Sequence, residues 1–193
     1  LVSVTRYKND SARIAPAAEP LPDDIRAAIE AIMRDRPPLV LFTTLARDHR
    51  LFFKFFNSGL LDRGHLTIRQ REIVIDRVTA SCGAEYEWGV HVSVFAAKAG
   101  LTEAQIASLT LGGPDDNCWT GADRALIRLC DSLHSDCTVD DELWAELTAH
   151  HSDEALLELL MLAGTYRTVS YLVNSLRLPL EPGASRFPLS RAN

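Results

Sequence analysis

The sequence predicts an all-α protein: a single bundle of eight or nine helices. Three observations point there. Apolar residues recur at three and four residues over most of the chain, Gly and Pro punctuate these stretches, and no alternating strand pattern of useful length occurs. The 193 residues suffice for one well-packed domain, and a hydrophobic share of 47% beside 24% charged residues is ordinary for a globular chain.

Residues 1–20 carry Ala15-Pro16-Ala17-Ala18 and Pro20 without helical period and read as an extended N-terminal arm that wraps a partner subunit. A single helical domain then spans 21–182. Pro22 suits a first turn and Asp23-Asp24 complement the positive end of the helix dipole. Ile25, Ala28, Ile29 and Ile32 form the apolar face, and Pro37-Pro38 end this helix. Leu39 to Phe56 should form two short helices meeting near Asp48, followed by a loop at Gly59 and Gly64. Thr67 reads as the N-cap of a helix running to about Cys82 and broken by Gly83. The next helix covers about 85–99, closed by Gly100, and Thr102 with Gln105 forms a capping box for another. After the loop 112–117, Thr120, Thr138 and Ser152 read as caps for helices over 121–134, 139–150 and 153–176. The last is apolar on nearly every side (Leu156, Leu157, Leu159, Leu160, Leu162, Ala163), so it should be the buried central helix. Residues 183–193 read as an irregular tail.

A formal net charge of −6 and the absence of a basic run argue against nucleic-acid or anionic-membrane partners. No apolar run approaches the roughly 18–20 residues needed to span a bilayer. The opening Leu1-Val2-Ser3-Val4-Thr5 lacks the basic-then-apolar layout of a signal peptide, and the four cysteines form no Cys-x-x-Cys pair. A reduced, cytoplasmic protein is expected.

On the helix after Gly83, Glu87, Trp88, His91 and Phe95 share one face, so Glu87 and His91, four apart, project from an apolar stripe. A carboxylate in low dielectric favours the imidazolium while desolvation opposes it, giving a proton donor and acceptor suited to neutral pH. The same spacing suits a satisfied core histidine or a partly solvated ion pair. Glu72 shares its helix face with Ile68, Ile75 and Thr79, though Arg69 and Arg71 offer it a surface pairing. His150-His151 read as a solvated helix end. Cys118, Cys130, Cys137 and His134 lack ligand spacing, and Trp88, Trp119 and Trp144 read as core or subunit-contact residues.

Arg71-Glu72-Ile73-Val74-Ile75, Cys82-Gly83-Ala84-Glu85-Tyr86-Glu87-Trp88-Gly89-Val90-His91 and Ala97-Lys98-Ala99-Gly100-Leu101-Thr102 resemble the core signature of the carboxymuconolactone decarboxylase and alkylhydroperoxidase D-like superfamily. Tyr166-Arg167-Thr168-Val169, Asn174-Ser175-Leu176 and Leu178-Pro179-Leu180-Glu181 are similar to its closing helix and tail, so the resemblance covers about 25–182. It implies an alkylhydroperoxidase D-like bundle that assembles as a homotrimer or homohexamer.

Members with peroxidase activity carry a glutamate, a Cys-x-x-Cys pair and a histidine. Here Glu72 and His91 fill the outer positions, but Ala84 and Glu87 fill those of the two sulfurs. The thiolate nucleophile and its resolving partner are both missing there. The decarboxylase branch is closer, with Tyr86 replacing one of its histidines. The resemblance thus implies cofactor-free acid/base chemistry on a small organic acid or lactone. His91, Glu87 and Glu72 would be catalytic, with Tyr86, Glu85, Arg167 and Trp88 placed to bind substrate; no metal or other cofactor is expected. A residual peroxide reductase using Cys82 and a non-catalytic ligand-binding oligomer are the alternatives.

Overall fold

A computed structural model describes residues 12–58 and 60–189, and among these it contains nine α-helices and no strand. In chain order they are α1 (Asp23–Met33), α2 (Val40–Leu45), α3 (His49–Asn57), α4 (Ile68–Ser81), α5 (Glu85–Phe95), α6 (Glu103–Leu111), α7 (Gly121–Ser135), α8 (Asp141–Thr148) and α9 (Asp153–Leu176).

Local signals explain most boundaries. Thr67 and Gln70 close a reciprocal capping box on α4, as Thr102 and Gln105 do on α6, and Asp48 and Ser152 cap α3 and α9. Gly83, at φ 63°, supplies the left-handed turn that separates α4 from α5. Two boundaries and one buried face differ from expectation, the first being the end of α5, which stops at Phe95 rather than near Ala99. Asp140, not Thr138, caps α8, because the chain is still turning at Cys137 (φ 56°) and the Thr138 carbonyl accepts from Ser132 Oγ. In α1 the buried arc is Ile25, Ile29 and Met33, which leaves Ile32 exposed. Gly59 lies outside the described residues, as do residues 1–11 of the arm and 190–193 of the tail.

The central helix is α4, not α9. It touches α5, α6, α7 and α9, and its residues 72–76 are all buried. Hydropathy hides this because α4 carries its charges inward in pairs. Arg69 bonds Asp123 at 2.7 Å, and Arg77 grips Asp131 at 2.6 and 2.9 Å while also donating to the carbonyls of Leu109 and Gly112. Those forks tie α4 to α7 and to the end of α6. Helix α9 instead leaves Leu157, Met161 and Tyr171 exposed along one stripe. Although α9 is long and apolar enough by composition to cross a bilayer, its buried residues, among them Leu159, Leu162, Tyr166 and Val173, pack into the bundle.

Both flanking segments lie against the chain's own helices. The Arg13 and Ala17 amides donate to the Leu176 and Thr43 carbonyls, which lays residues 12–17 along α2 and the end of α9. Beyond α9, the Ser185 amide donates to Ser93 Oγ at 2.8 Å, the Phe187 amide donates to Glu85 Oε1 at 3.0 Å, and the Phe187 ring packs on Trp88 at 5.0 Å. The tail is therefore seated on α5 through Phe187 rather than loose. Gly89 makes this seat possible, since a Cβ there would collide with the Ser185 carbonyl oxygen. Gly89→Ala is expected to lift residues 184–187 off α5. We expect it to cost about 1–3 kcal/mol in urea unfolding and to speed tryptic cleavage after Arg186; unchanged cleavage would show that the tail is held elsewhere.

Candidate active site

Three helices converge on His91. Helix α4 presents Glu72, α5 presents Glu87 and His91, and α9 presents Tyr166. Glu72 has no exposed surface, while His91, Tyr166 and Glu87 expose 3%, 4% and 7%. The polar side chains face inward because the opposite walls of α4 and α5 are filled by Ile73, Val74 and Trp88, leaving one inter-helix seam for charge.

His91 Nδ1 lies 2.8 Å from Glu72 Oε2, and Nε2 lies 3.1 Å from the Tyr166 hydroxyl and 3.5 Å from Glu87 Oε1. The Tyr166 ring meets the imidazole edge-on at 5.0 Å, and Phe95 covers its other side at 5.3 Å. Burial by itself disfavours the charged imidazole, and this is the largest single effect. The hydrogen bonds and negative charges of Glu72 and Glu87 together outweigh it and hold His91 at about 10. At neutral pH the ring is an imidazolium, Nδ1–H donating to Glu72 and Nε2–H to Tyr166. Burial first, then the Glu87 and Glu72 charges, keep the Tyr166 phenol protonated far above its ordinary value.

The site also contains a group that the sequence reading passed over. Asp76, one turn beyond Glu72 on α4, is 1% exposed, and neither carboxyl oxygen has a hydrogen-bond partner. Burial, opposed by the His91 charge and reinforced by Glu72, holds its carboxyl well above the usual carboxylate range. Its spacing of four from Glu72 was a legible signal. Tyr166 gave none, being 75 residues from its partner. Glu72 Oε1, 3.8 Å from Arg71 Nε, and Glu87 Oε2 are likewise buried without a hydrogen bond, so the seam holds more acceptor capacity than the described residues satisfy.

The four expected substrate-binding residues are not part of this cluster. The Tyr86 hydroxyl accepts from the Leu41 amide at 3.1 Å and donates to Glu181, clamping α2 to the segment after α9. Glu85 receives the Phe187 amide and faces Arg186 at 3.9 Å. Trp88, 1% exposed, lies beneath Phe187. Arg167 bonds Tyr171 and His134 on the α7 side of α9. Glu85, Tyr86 and Trp88 are taken up by packing because residues 85, 86 and 88 point to other sectors of α5 than 87 and 91 do, and Arg167 lies on a different face of α9 from Tyr166. Among the described residues no cluster of His, Cys, Asp and Glu is disposed to hold a metal ion. Glu72 and Glu87 address opposite nitrogens of the ring, so the three groups do not converge on one point.

The helical bundle that buries this carboxylate–imidazole pair between α4 and α5 has an alkylhydroperoxidase D-like fold. The carboxymuconolactone decarboxylase family model matches residues 49–128, a stretch that includes Glu72, Glu87 and His91. Over that stretch the chain is similar to the carboxymuconolactone decarboxylase family, and its fold is alkylhydroperoxidase D-like. An uncharacterized peroxidase-related protein from Silicibacter sp. TM1040 superimposes with a TM-score of 0.78 at 15% identity, covering 96% of this chain and 100% of that one. A peroxidase-related alkylhydroperoxidase core from Ralstonia eutropha JMP134 gives 0.75 at 18%, covering 91% and 95%. The debrominase Bmp8 in complex with 2,3,4-tribromopyrrole gives 0.69 at 15%, covering 89% and 93%. No curated protein matches the chain in sequence.

A raised folded-state pKa fixes the sign of the pH dependence. The stabilisation from charging His91 is complete below its unfolded value near 6.5 and disappears as pH climbs through about 10. NMR titration of the imidazole should therefore show a cation through pH 8, with thermal stability falling near pH 10. In Glu72→Gln the imidazole should titrate lower. A wild-type midpoint near 6.5 would refute the buried ion pair.

Proposed function

We propose that this protein is a cofactor-free acid/base enzyme of the decarboxylase-like branch, acting on a small organic acid or lactone. The observation that carries the reading is the buried imidazolium of His91, held at 2.8 Å by Glu72 and flanked by Glu87 and Tyr166. In decarboxylation the bond between the α-carbon and the carboxylate breaks, CO2 departs, and its electron pair remains on the α-carbon as an enolate. That carbanion is neutralised by a proton. An acid near 10 stays protonated at neutral pH yet donates readily to an enolate carbon, which is far more basic.

His91 Nε2–H is the donor in this scheme. Glu72 keeps the ring charged and fixes its orientation, and Glu87, the member nearest solvent, faces an arriving substrate and relays a proton from water to the ring once His91 has given up its own. Asp76, whose carboxyl burial pushes well above the usual carboxylate range, lies one helical turn from Glu72. The seam is nearly closed in one chain, and the exposed stripe Leu157, Met161 and Tyr171 on α9 supports assembly as a homotrimer or homohexamer. Four free thiols suit a reducing cytoplasm. Thiol-based peroxide reduction draws no support from the seam, because none of those thiols hydrogen-bonds to Glu72, His91 or Tyr166.

His91→Gln strands the Glu72 carboxylate and is expected to cost about 3–5 kcal/mol. Glu72→Gln/His91→Gln removes both charges and should regain most of that stability, which makes it the cleaner probe. Wild-type protein is expected to release CO2 from β-keto acids or carboxylated lactones, and the folded double variant to be slower by at least about a hundredfold. Equal rates would remove His91 from the chemistry. Absence of turnover across the whole panel would favour a ligand-binding oligomer.

A further inference from the structure

On the α7 side of α9, away from His91, helices α4, α7 and α9 border a cavity of about 190 Å³. Val78, Leu133, Leu160 and Ala163 supply apolar wall. Cys130, 1% exposed, also lines it; burial pushes its thiol well up, so it adds a small neutral surface. His134, Cys137 and Arg167 complete the lining, and no lining residue is acidic. In a chain of net charge −6, the formal charge at this opening is positive.

Arg167 is held in place without being neutralised. Its Nε–H donates to the Tyr171 hydroxyl at 2.9 Å, and Nη1 donates to His134 Nδ1 and to the His134 carbonyl, both at 3.3 Å. The guanidinium also lies 6.0 Å from the Tyr171 ring centre. Among the described residues no carboxylate comes within ion-pair distance of Arg167, whereas Arg69, Arg77 and Arg128 each have one. The Nη2 edge makes no hydrogen bond to the described residues. A planar donor, already oriented and lacking an anion, thus stands at the entrance of an apolar hollow, which is the layout for a carboxylate with an apolar body. A cavity of about 150 Å³ accepts a benzene-sized guest, so this one has room for a single ring or a short branched chain.

We propose that this cavity is a second ligand site, taking a small monocarboxylic acid whose carboxylate pairs with Arg167 and whose body packs against Val78, Leu133, Leu160 and Ala163. The site is separate from the His91 seam and stands whether or not that seam is catalytic.

Benzoate is the probe, with benzyl alcohol as a neutral body of similar size and acetate as a charge without a body, each titrated into the full chain and followed by NMR. Benzoate is expected to saturate, shifting the Val78, Leu160 and Ala163 methyls and the Arg167 Nε–H. It should bind roughly tenfold to a hundredfold more tightly than either control. Arg167→Met should abolish that advantage while leaving benzyl alcohol within about twofold. Gly164→Leu offers a block that does not threaten folding, since a Cβ there meets nothing within 4 Å and leucine favours a helix. It should weaken benzoate and benzyl alcohol alike. Shifts confined to His91 and Phe95, benzyl alcohol as tight as benzoate, or no saturation below about 10 mM would each overturn the proposal.

Discussion

A carboxylate with no exposed surface and an imidazole almost as deeply buried face each other at 2.8 Å, and the arrangement of α4, α5 and α9 follows from keeping them together. Either charge alone in that seam would cost several kcal/mol of lost hydration. Each therefore requires the other, and both require helices rigid enough to hold the separation. The Thr67–Gln70 capping box and Gly83 fix where α4 starts and stops, and the paired arginines lock its other faces to α7 and α6. Helix α4 is thereby a charged helix in the middle of a hydrophobic bundle, stable because its charges leave water in pairs.

The same arrangement accounts for which parts of the fold could be read from the chain. Where structure follows from local chemistry, the reading matched: Asp48 between two short helices, the Thr102–Gln105 box, Ser152 before the longest helix. Where it follows from pairing across the bundle, local patterns misled. Helix α4 looks too polar to be central because Arg69 and Arg77 find Asp123 and Asp131 54 positions away. Helix α9 looks fully buried because Leu157 and Met161 resemble core residues, although they lie on its outer stripe.

At the site, sequence spacing brought Glu87 and His91 together and family resemblance added Glu72. It could not separate neighbours on α5 that serve different elements. Glu85, Tyr86 and Trp88 sit beside Glu87 in sequence yet bind the tail, α2 and the Phe187 ring. One helical turn thus carries both a member of the buried charge cluster and the fastenings of α2 and the tail, since a rotation of 100° per residue turns neighbouring side chains to different sides.

That double duty bears on how the seam stays closed. Tyr86 joins Leu41 of α2 to Glu181, and Glu181 in turn accepts the Val40 amide at 2.6 Å, so the N-terminal helices and the C-terminal segment are knotted onto the helix that bears His91. Phe187 over Trp88 and Ser185 against Gly89 extend the same fastening along α5. With α5 held on its outer side by α2 and residues 181–187 and on its inner side by Glu72, the imidazole has little freedom to swing toward water. A proton held near 10 is useful only if the ring cannot relax into bulk solvent, where its affinity would return to the ordinary value. The packing of α2 and residues 181–187 on α5 and the poise of the imidazolium are therefore one constraint: loosening the first lowers the second.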